Sequence, residues 1–102
     1  MEFFPVFMDL GGRDCLVVGG GTVAARKLGL LLRAGASVEV VAPQLCEKLV
    51  ALRDAGKIRH SARAFEAADV EGKALVIAAT SREAVNRSVS ELAKARNIPV
   101  NV

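Results

Sequence analysis

Cysteine is scarce in this 102-residue sequence, and the two residues present are poorly placed to cross-link. Cys15 lies inside an apolar run, and Cys46 lies in a segment with helical spacing. That number and spacing do not suggest a disulfide framework or a zinc site and favour reduced, buried thiols and a cytoplasmic setting. No apolar run is long enough to cross a bilayer. The opening "MEFFPVFMDL" has an acidic second residue, no basic lead and a proline, which excludes a signal peptide. Charge of one sign is nowhere concentrated. The 14 basic and 11 acidic residues are interspersed for a net +3, which describes a solvated surface and leaves no nucleic-acid or membrane footprint. Repeats, low-complexity tracts and linkers are also lacking, so a single domain over residues 1–102 is expected.

What is present is a globular balance, 52% hydrophobic and 25% charged, arranged as short apolar runs alternating with helical-period segments. Residues 14–20, "DCLVVGG", read as a buried strand ended by glycine. From 22 to 34 the apolar positions Val23, Leu28, Leu30, Leu31 and Leu32 share one broad helical face, and Gly35 supplies the stop. Residues 37–42 form the next strand, and Pro43 is expected to open a helix running to residue 52. "KIRHSAR" alternates as a more exposed strand, and residues 64–73 carry loop chemistry with one short helical turn. Residues 74–80 are a continuous apolar strand of the kind buried in parallel sheets. Ser81 is expected to cap a helix over 82–96 with an inner stripe of Ala84, Val85, Val89, Leu92 and Ala93, before "IPVNV" begins a last strand. Strands separated by such helices imply right-handed crossovers and an α/β fold. It is expected to be a Rossmann-type doubly wound parallel sheet of about five strands in a three-layer α/β/α arrangement.

In such sheets ligands sit beyond the carboxyl ends of the strands, where the winding reverses. The first strand ends at Gly19-Gly20-Gly21-Thr22-Val23-Ala24, which matches the G-x-G-x-x-A form of the dinucleotide fingerprint, set between strand and helix as that motif requires. Gly19 permits a tight turn, Gly21 lets a pyrophosphate approach bare main chain, and Ala24 keeps the helix close to the sheet. The free N–H groups and dipole of the helix start favour the phosphate. The acidic residue that usually grips the adenosine ribose about 20 positions on is missing. Val41, Ala42 and Pro43 stand there instead, without an arginine for a 2′-phosphate, and Glu39 lies mid-strand and points elsewhere.

"FPVFMDLGGRDCLVVGGGTVAARKLGLLLRAGASVEVVAP", then "LVIAAT", a helix with "AVN", and a closing "IPVNV" resemble the N-terminal domain of the siroheme synthase family. The features shared beyond a generic dinucleotide fold are Pro5, Phe7, Val23-Ala24-x-Arg26-Lys27, Ala78-Ala79-Thr80 and Asn86. The resemblance implies a bifunctional cytoplasmic enzyme that oxidises precorrin-2 to sirohydrochlorin with NAD and inserts ferrous iron to give siroheme, working as a homodimer. It implies further that Gly19, Gly20, Gly21, Thr22 and Val23 line the pyrophosphate, Pro43 and Gln44 the adenosine side, and Ala79 and Thr80 the nicotinamide side. The aspartate that follows "NVV" in the family is not among these residues, which end at Asn101-Val102. The family's dimerisation segment and further domain are likewise missing. The expectation is therefore a truncated cofactor domain that binds NAD and has little dehydrogenase or chelatase activity by itself.

Other residues have plainer readings. His60 is expected on an edge strand, away from the glycine turn, and Arg26 and Lys27 in solvent one turn into their helix. Glu66, Asp69 and Glu71 are expected to solvate a loop, with no metal bound, and Cys15 to belong to the core. Two other functions fit the same motif: a nucleotide-sensing regulatory domain without catalysis, and an adapter that kept the fold and lost the ligand.

Overall fold

The computed structural model describes residues 9–102, so the positions of Pro5 and Phe7 lie outside the described residues. Five strands alternate with helical segments: β1 (Asp14–Val18), α1 (Thr22–Arg33), β2 (Ser37–Val41), α2 (Glu47–Asp54), β3 (Arg59–Ser61), a 3-10 turn (Ala67–Val70), β4 (Leu75–Ala78), α3 (Glu83–Ala95) and β5 (Val100–Asn101). All strands pair in parallel in the order β3-β2-β1-β4-β5. The doubly wound sheet and its three layers are as the sequence predicts.

The runs in β1 and β4 lack polar alternation because both faces of those strands are covered. Cys15, Val17, Val38, Val40, Leu75 and Ile77 pack against α1 and α2 on one face. Leu16, Val18, Val41, Val76 and Ala78 pack against α3 and the 3-10 turn on the other. The chain therefore covers one face between β1 and β3, then the opposite face from β3 onward. The winding reverses between β1 and β4. Val18 pairs with both Val41 and Ala78, so three strands end level and the turns that follow them open on one edge.

Several local expectations are corrected. In α1 the buried residues are Ala24, Ala25, Leu28 and Leu31, while Val23 and Leu30 are exposed. Ala24 and Ala25 let the first turn lie close to the sheet, Leu28 and Leu31 fill the same inward stripe further along, and Val23 and Leu30 fall on the outer side. Helix α2 starts at Glu47, not Pro43, and Cys46 is its cap, not a residue within it. The Cys46 N–H donates to the Gly20 carbonyl at 2.7 Å, which ties the preceding segment across the glycine turn instead of into a helical turn.

Ser81 does not cap α3, whose cap residue is Arg82. The Thr80 hydroxyl accepts the Arg82 N–H at 3.2 Å and donates to Asn86 Oδ1 at 2.7 Å. Ala84 is exposed, and Val89 and Ala93 are the buried residues of that helix. Lys27 is not simply solvated, since its Nζ donates to Asn101 Oδ1 of β5 at 2.8 Å.

The acidic stretch is built differently from a solvated loop. Asp69 is 8% exposed and accepts from both Arg63 terminal nitrogens, at 2.9 and 2.7 Å, and from the Glu66 N–H at 2.8 Å. Glu66 and Asp69 together close a capping box on the 3-10 turn, and Glu71 pairs with Arg96. Hydrogen bonding from Arg63, opposed by burial and reinforced by the Glu66 N–H, holds the Asp69 carboxyl below its ordinary range, and Asp69 in turn keeps Arg63 more firmly protonated. Glu39 turns to Ser61 Oγ at 3.0 Å and Lys73 Nζ at 3.6 Å and does not line the cleft described below.

Candidate functional site

The turns after β1, β2 and β4 enclose a cleft of about 990 Å³, at the upper end of the range for cofactor sites. Gly19, Gly20, Gly21, Thr22 and Val23 form one wall, Pro43 and Gln44 a second, and Ala79 and Thr80 a third. Every residue that the sequence singles out for the cofactor thus lines one cavity at the reversal of the sheet. None lies elsewhere.

The three glycines have different physical reasons. Gly19 has φ +128°, a conformation side chains avoid, and a β-carbon on it would come within 2.7 Å of the Ala79 carbonyl carbon. Gly20 has the Gln44 carbonyl where its β-carbon would stand. Both absences let the turn pack against the neighbouring loops. Only Gly21 fits the idea of main chain kept bare for a ligand: a β-carbon there would meet nothing within 4 Å, and the residue faces the cleft exposed.

The start of α1 is left electrically open. Its first helical bond runs from the Ala25 N–H to the Gly21 carbonyl at 3.0 Å, so the N–H groups before Ala25 have no acceptor within the helix. No side chain caps this end and its first turn has no acidic residue. The donors and the positive end of the dipole therefore point into the cleft without internal neutralisation, which suits an anion such as a dinucleotide pyrophosphate. Gly21 fits that group sterically, because even a β-carbon there would meet nothing within 4 Å.

Opposite this wall the β4–α3 loop is clamped by one amide. Asn86 Oδ1 accepts the Thr80 N–H at 3.0 Å and Asn86 Nδ2 donates to the Thr80 carbonyl at 3.0 Å. The third wall is thereby fixed before any ligand arrives. At the second wall the His60 ring sits outside the cleft, on the edge strand β3, and its Nε2 donates to the Ala42 carbonyl at 2.8 Å. It supports the end of β2 and does not face a ligand.

The lining also contains residues that the sequence reading passed over. Cys46 reaches the cleft as the cap of α2. Phe65 and Val85 extend the floor from the loop after β3 and from α3, and Arg82 stands at the rim. Arg82 has a legible signal: a cation at the first turn of a helix opposes the dipole. Phe65 has none, since a loop aromatic in a sequence does not show which way it turns. Among the described lining residues there is no carboxylate, lysine or histidine. Among all described residues no group of three His, Cys, Asp or Glu can hold a metal ion. No described helix is long and apolar enough to cross a membrane.

A family model described as "Putative NAD(P)-binding" matches residues 6–102. Among curated proteins the chain is 59% identical over 102 residues to siroheme synthase of Thioalkalivibrio sulfidiphilus, covering 100% of this chain and 21% of that protein. It is 57% identical over 102 residues to siroheme synthase of Methylobacillus flagellatus, covering 100% and 22%. Among solved structures it is similar to "SirC, precorrin-2 dehydrogenase", with TM-score 0.84 and 32% identity over 98% of this chain and 49% of that one. The chain spans about a fifth of the length of the siroheme synthases it matches. Matched over nearly all its residues and carrying the cleft that such a match requires, the chain belongs to this NAD(P)-binding family.

Proposed function

We propose that this chain is the cofactor-holding domain of a siroheme synthase and that it seats NAD in the cleft above β1, β2 and β4. The observation that carries the reading is the uncapped start of α1 beside the bare, cleft-facing Gly21. Gly19 to Val23 hold the pyrophosphate through main-chain N–H groups, Pro43 and Gln44 border the adenosine, and Ala79 and Thr80 border the nicotinamide. Among the described residues the Pro43–Gln44 wall holds neither an acid to grip the ribose nor a cation to meet a 2′-phosphate, so charge does not choose between NAD and NADP. Main-chain groups of that wall take the ribose in place of the missing acid.

The bound nicotinamide supplies a hydride acceptor for the oxidation of precorrin-2 to sirohydrochlorin. The residues of this chain bind and orient. They do not take the substrate's proton, because the described lining residues include no carboxylate or imidazole. By itself the 102-residue chain is therefore a cofactor domain with little dehydrogenase turnover. The activity of the whole protein includes insertion of ferrous iron, as substrate, into sirohydrochlorin. Its setting is a cytoplasmic homodimer, a compartment with which the free thiols of Cys15 and Cys46 agree.

Thermal unfolding with and without nucleotide tests the reading. NAD at ~100 times its dissociation constant should add ~2.7 kcal/mol and raise the midpoint by roughly 10 °C or more. A shift with ATP or ADP but none with NAD would make the chain a nucleotide sensor. No shift with any of these nucleotides would make it an adapter.

A further inference from the structure

Arg82 is the one charged residue among the described residues that line the cleft. It is exposed, and its guanidinium makes no hydrogen bond or ion pair with any described residue. Its main chain is nevertheless fixed, since the Arg82 N–H is held by the Thr80 hydroxyl at 3.2 Å and Thr80 is clamped by Asn86. The position is electrostatically unfavourable for a cation. Arg82 caps the start of α3, where the dipole is positive and an acidic or hydroxyl side chain stabilises the helix. Rules of local stability are broken most often where a site needs the offending group.

We propose that Arg82 is a specificity-determining residue that anchors a carboxylate of the substrate at the Ala79–Thr80 side of the cleft. This rests on the reading given under Proposed function, in which that side faces the nicotinamide; the tetrapyrrole substrate of that reading is a polycarboxylate, with acetate and propionate arms. A guanidinium presents a planar fork that matches a carboxylate with two parallel hydrogen bonds, and the anchored main chain of Arg82 keeps that fork at this side of the cleft. The cofactor's own phosphates are held on the opposite wall by the start of α1, so the two anions have separate partners.

Sirohydrochlorin is titrated by absorbance onto the full 102-residue chain saturated with NADH, and NAD is titrated separately. Arg82→Ala should weaken sirohydrochlorin about 10-fold while leaving the NAD dissociation constant within about 2-fold. Arg82→Lys should recover part of the loss, because charge returns without the fork. Arg87→Ala, an exposed arginine of α3 outside the cleft, should change neither value. Equal sirohydrochlorin affinity in wild type and Arg82→Ala overturns the proposal, and so does a parallel loss of NAD affinity, which would place Arg82 on the cofactor. Wild type that binds NADH but no sirohydrochlorin also overturns it and leaves the cofactor reading standing, whereas wild type that binds neither removes both.

Discussion

The main-chain carbonyl of Gln44 occupies the space where a β-carbon on Gly20 would stand. The loop after β2 is thus pressed onto the turn after β1, with the Cys46 N–H bonded to the Gly20 carbonyl at 2.7 Å. Gly20→Ala should cost at least about 2 kcal/mol, because main chain rather than the tip of a flexible side chain has to move. Gly19→Ala should cost at least as much, since it adds the φ of +128° to a clash with Ala79. Gly21→Ala has open space and an ordinary φ of −96°, so its stability should stay within about 1 kcal/mol of wild type. Its methyl group would stand in the seat proposed for the phosphate, and NAD affinity should fall about 10-fold. Urea denaturation and NAD titration of the three variants separate the packing glycines from the ligand glycine. Unaltered NAD affinity in Gly21→Ala would remove the phosphate from that position.

The division of labour among these glycines explains what a sequence can carry. The G-x-G-x-x-A spacing and the apolar runs of β1, β2 and β4 follow from backbone sterics and from burial on both faces, and both leave local signatures. The sheet and the walls of the cleft are therefore legible. The roles of Gly19 and Gly20 depend on Ala79 and Gln44, which are distant in sequence, so no local pattern distinguishes them from Gly21. The same holds for the cap of α3. Ser81 stands in the preferred place, yet Asn86 from the next turn recruits Thr80 instead. Asp69 reads as a solvated acid until the fold brings Arg63 over it.

Asn86 satisfies both polar groups of the Thr80 main chain, at 3.0 Å each, in a partly buried setting. Asn86→Ala leaves that N–H and carbonyl without their partner and should destabilise by about 1–3 kcal/mol. Asn86→Asp keeps an acceptor for the N–H but loses the donor and sets a carboxylate against a carbonyl, so it should not rescue fully. Amide exchange at Thr80 should accelerate in both variants, and NAD affinity should fall because the third wall is no longer fixed. Retained slow exchange at Thr80 in Asn86→Ala would show that the clamp is not what holds the loop.

The Arg63–Asp69 contact gives stability a defined pH dependence. The Asp69 carboxyl is held below its ordinary value by the Arg63 hydrogen bonds, so the folded chain takes up that proton at lower pH than the unfolded chain. Its stabilisation is complete above the unfolded carboxylate value near ~4 and is lost as pH falls through the lower folded value. Arg63→Ala leaves a buried carboxylate with the Glu66 N–H as its remaining hydrogen-bond donor among the described residues and should destabilise the fold near neutral pH. Urea midpoints measured from pH 7 to pH 3 should show the gap between wild type and variant narrowing below about pH 4. A gap that widens on acidification would contradict the sign of the shift.

Two thiols in one small domain report separately on core and cleft. Cys15 is fully buried in β1, and burial pushes its thiol above the ordinary value, so the thiolate that reacts is scarce and shielded. Cys46 is half-buried and lines the cleft at the start of α2. Alkylation of the native chain followed by mass spectrometry should modify Cys46 and spare Cys15, and unfolding in urea should make both reactive. Saturating NAD should slow Cys46 labelling severalfold, because Cys46 lines the same cavity as Pro43 and Gln44, while global stabilisation alone would slow only Cys15. Cys46 labelling that proceeds at the same rate with and without NAD, in a chain that calorimetry shows to be loaded, would place the dinucleotide outside this cleft.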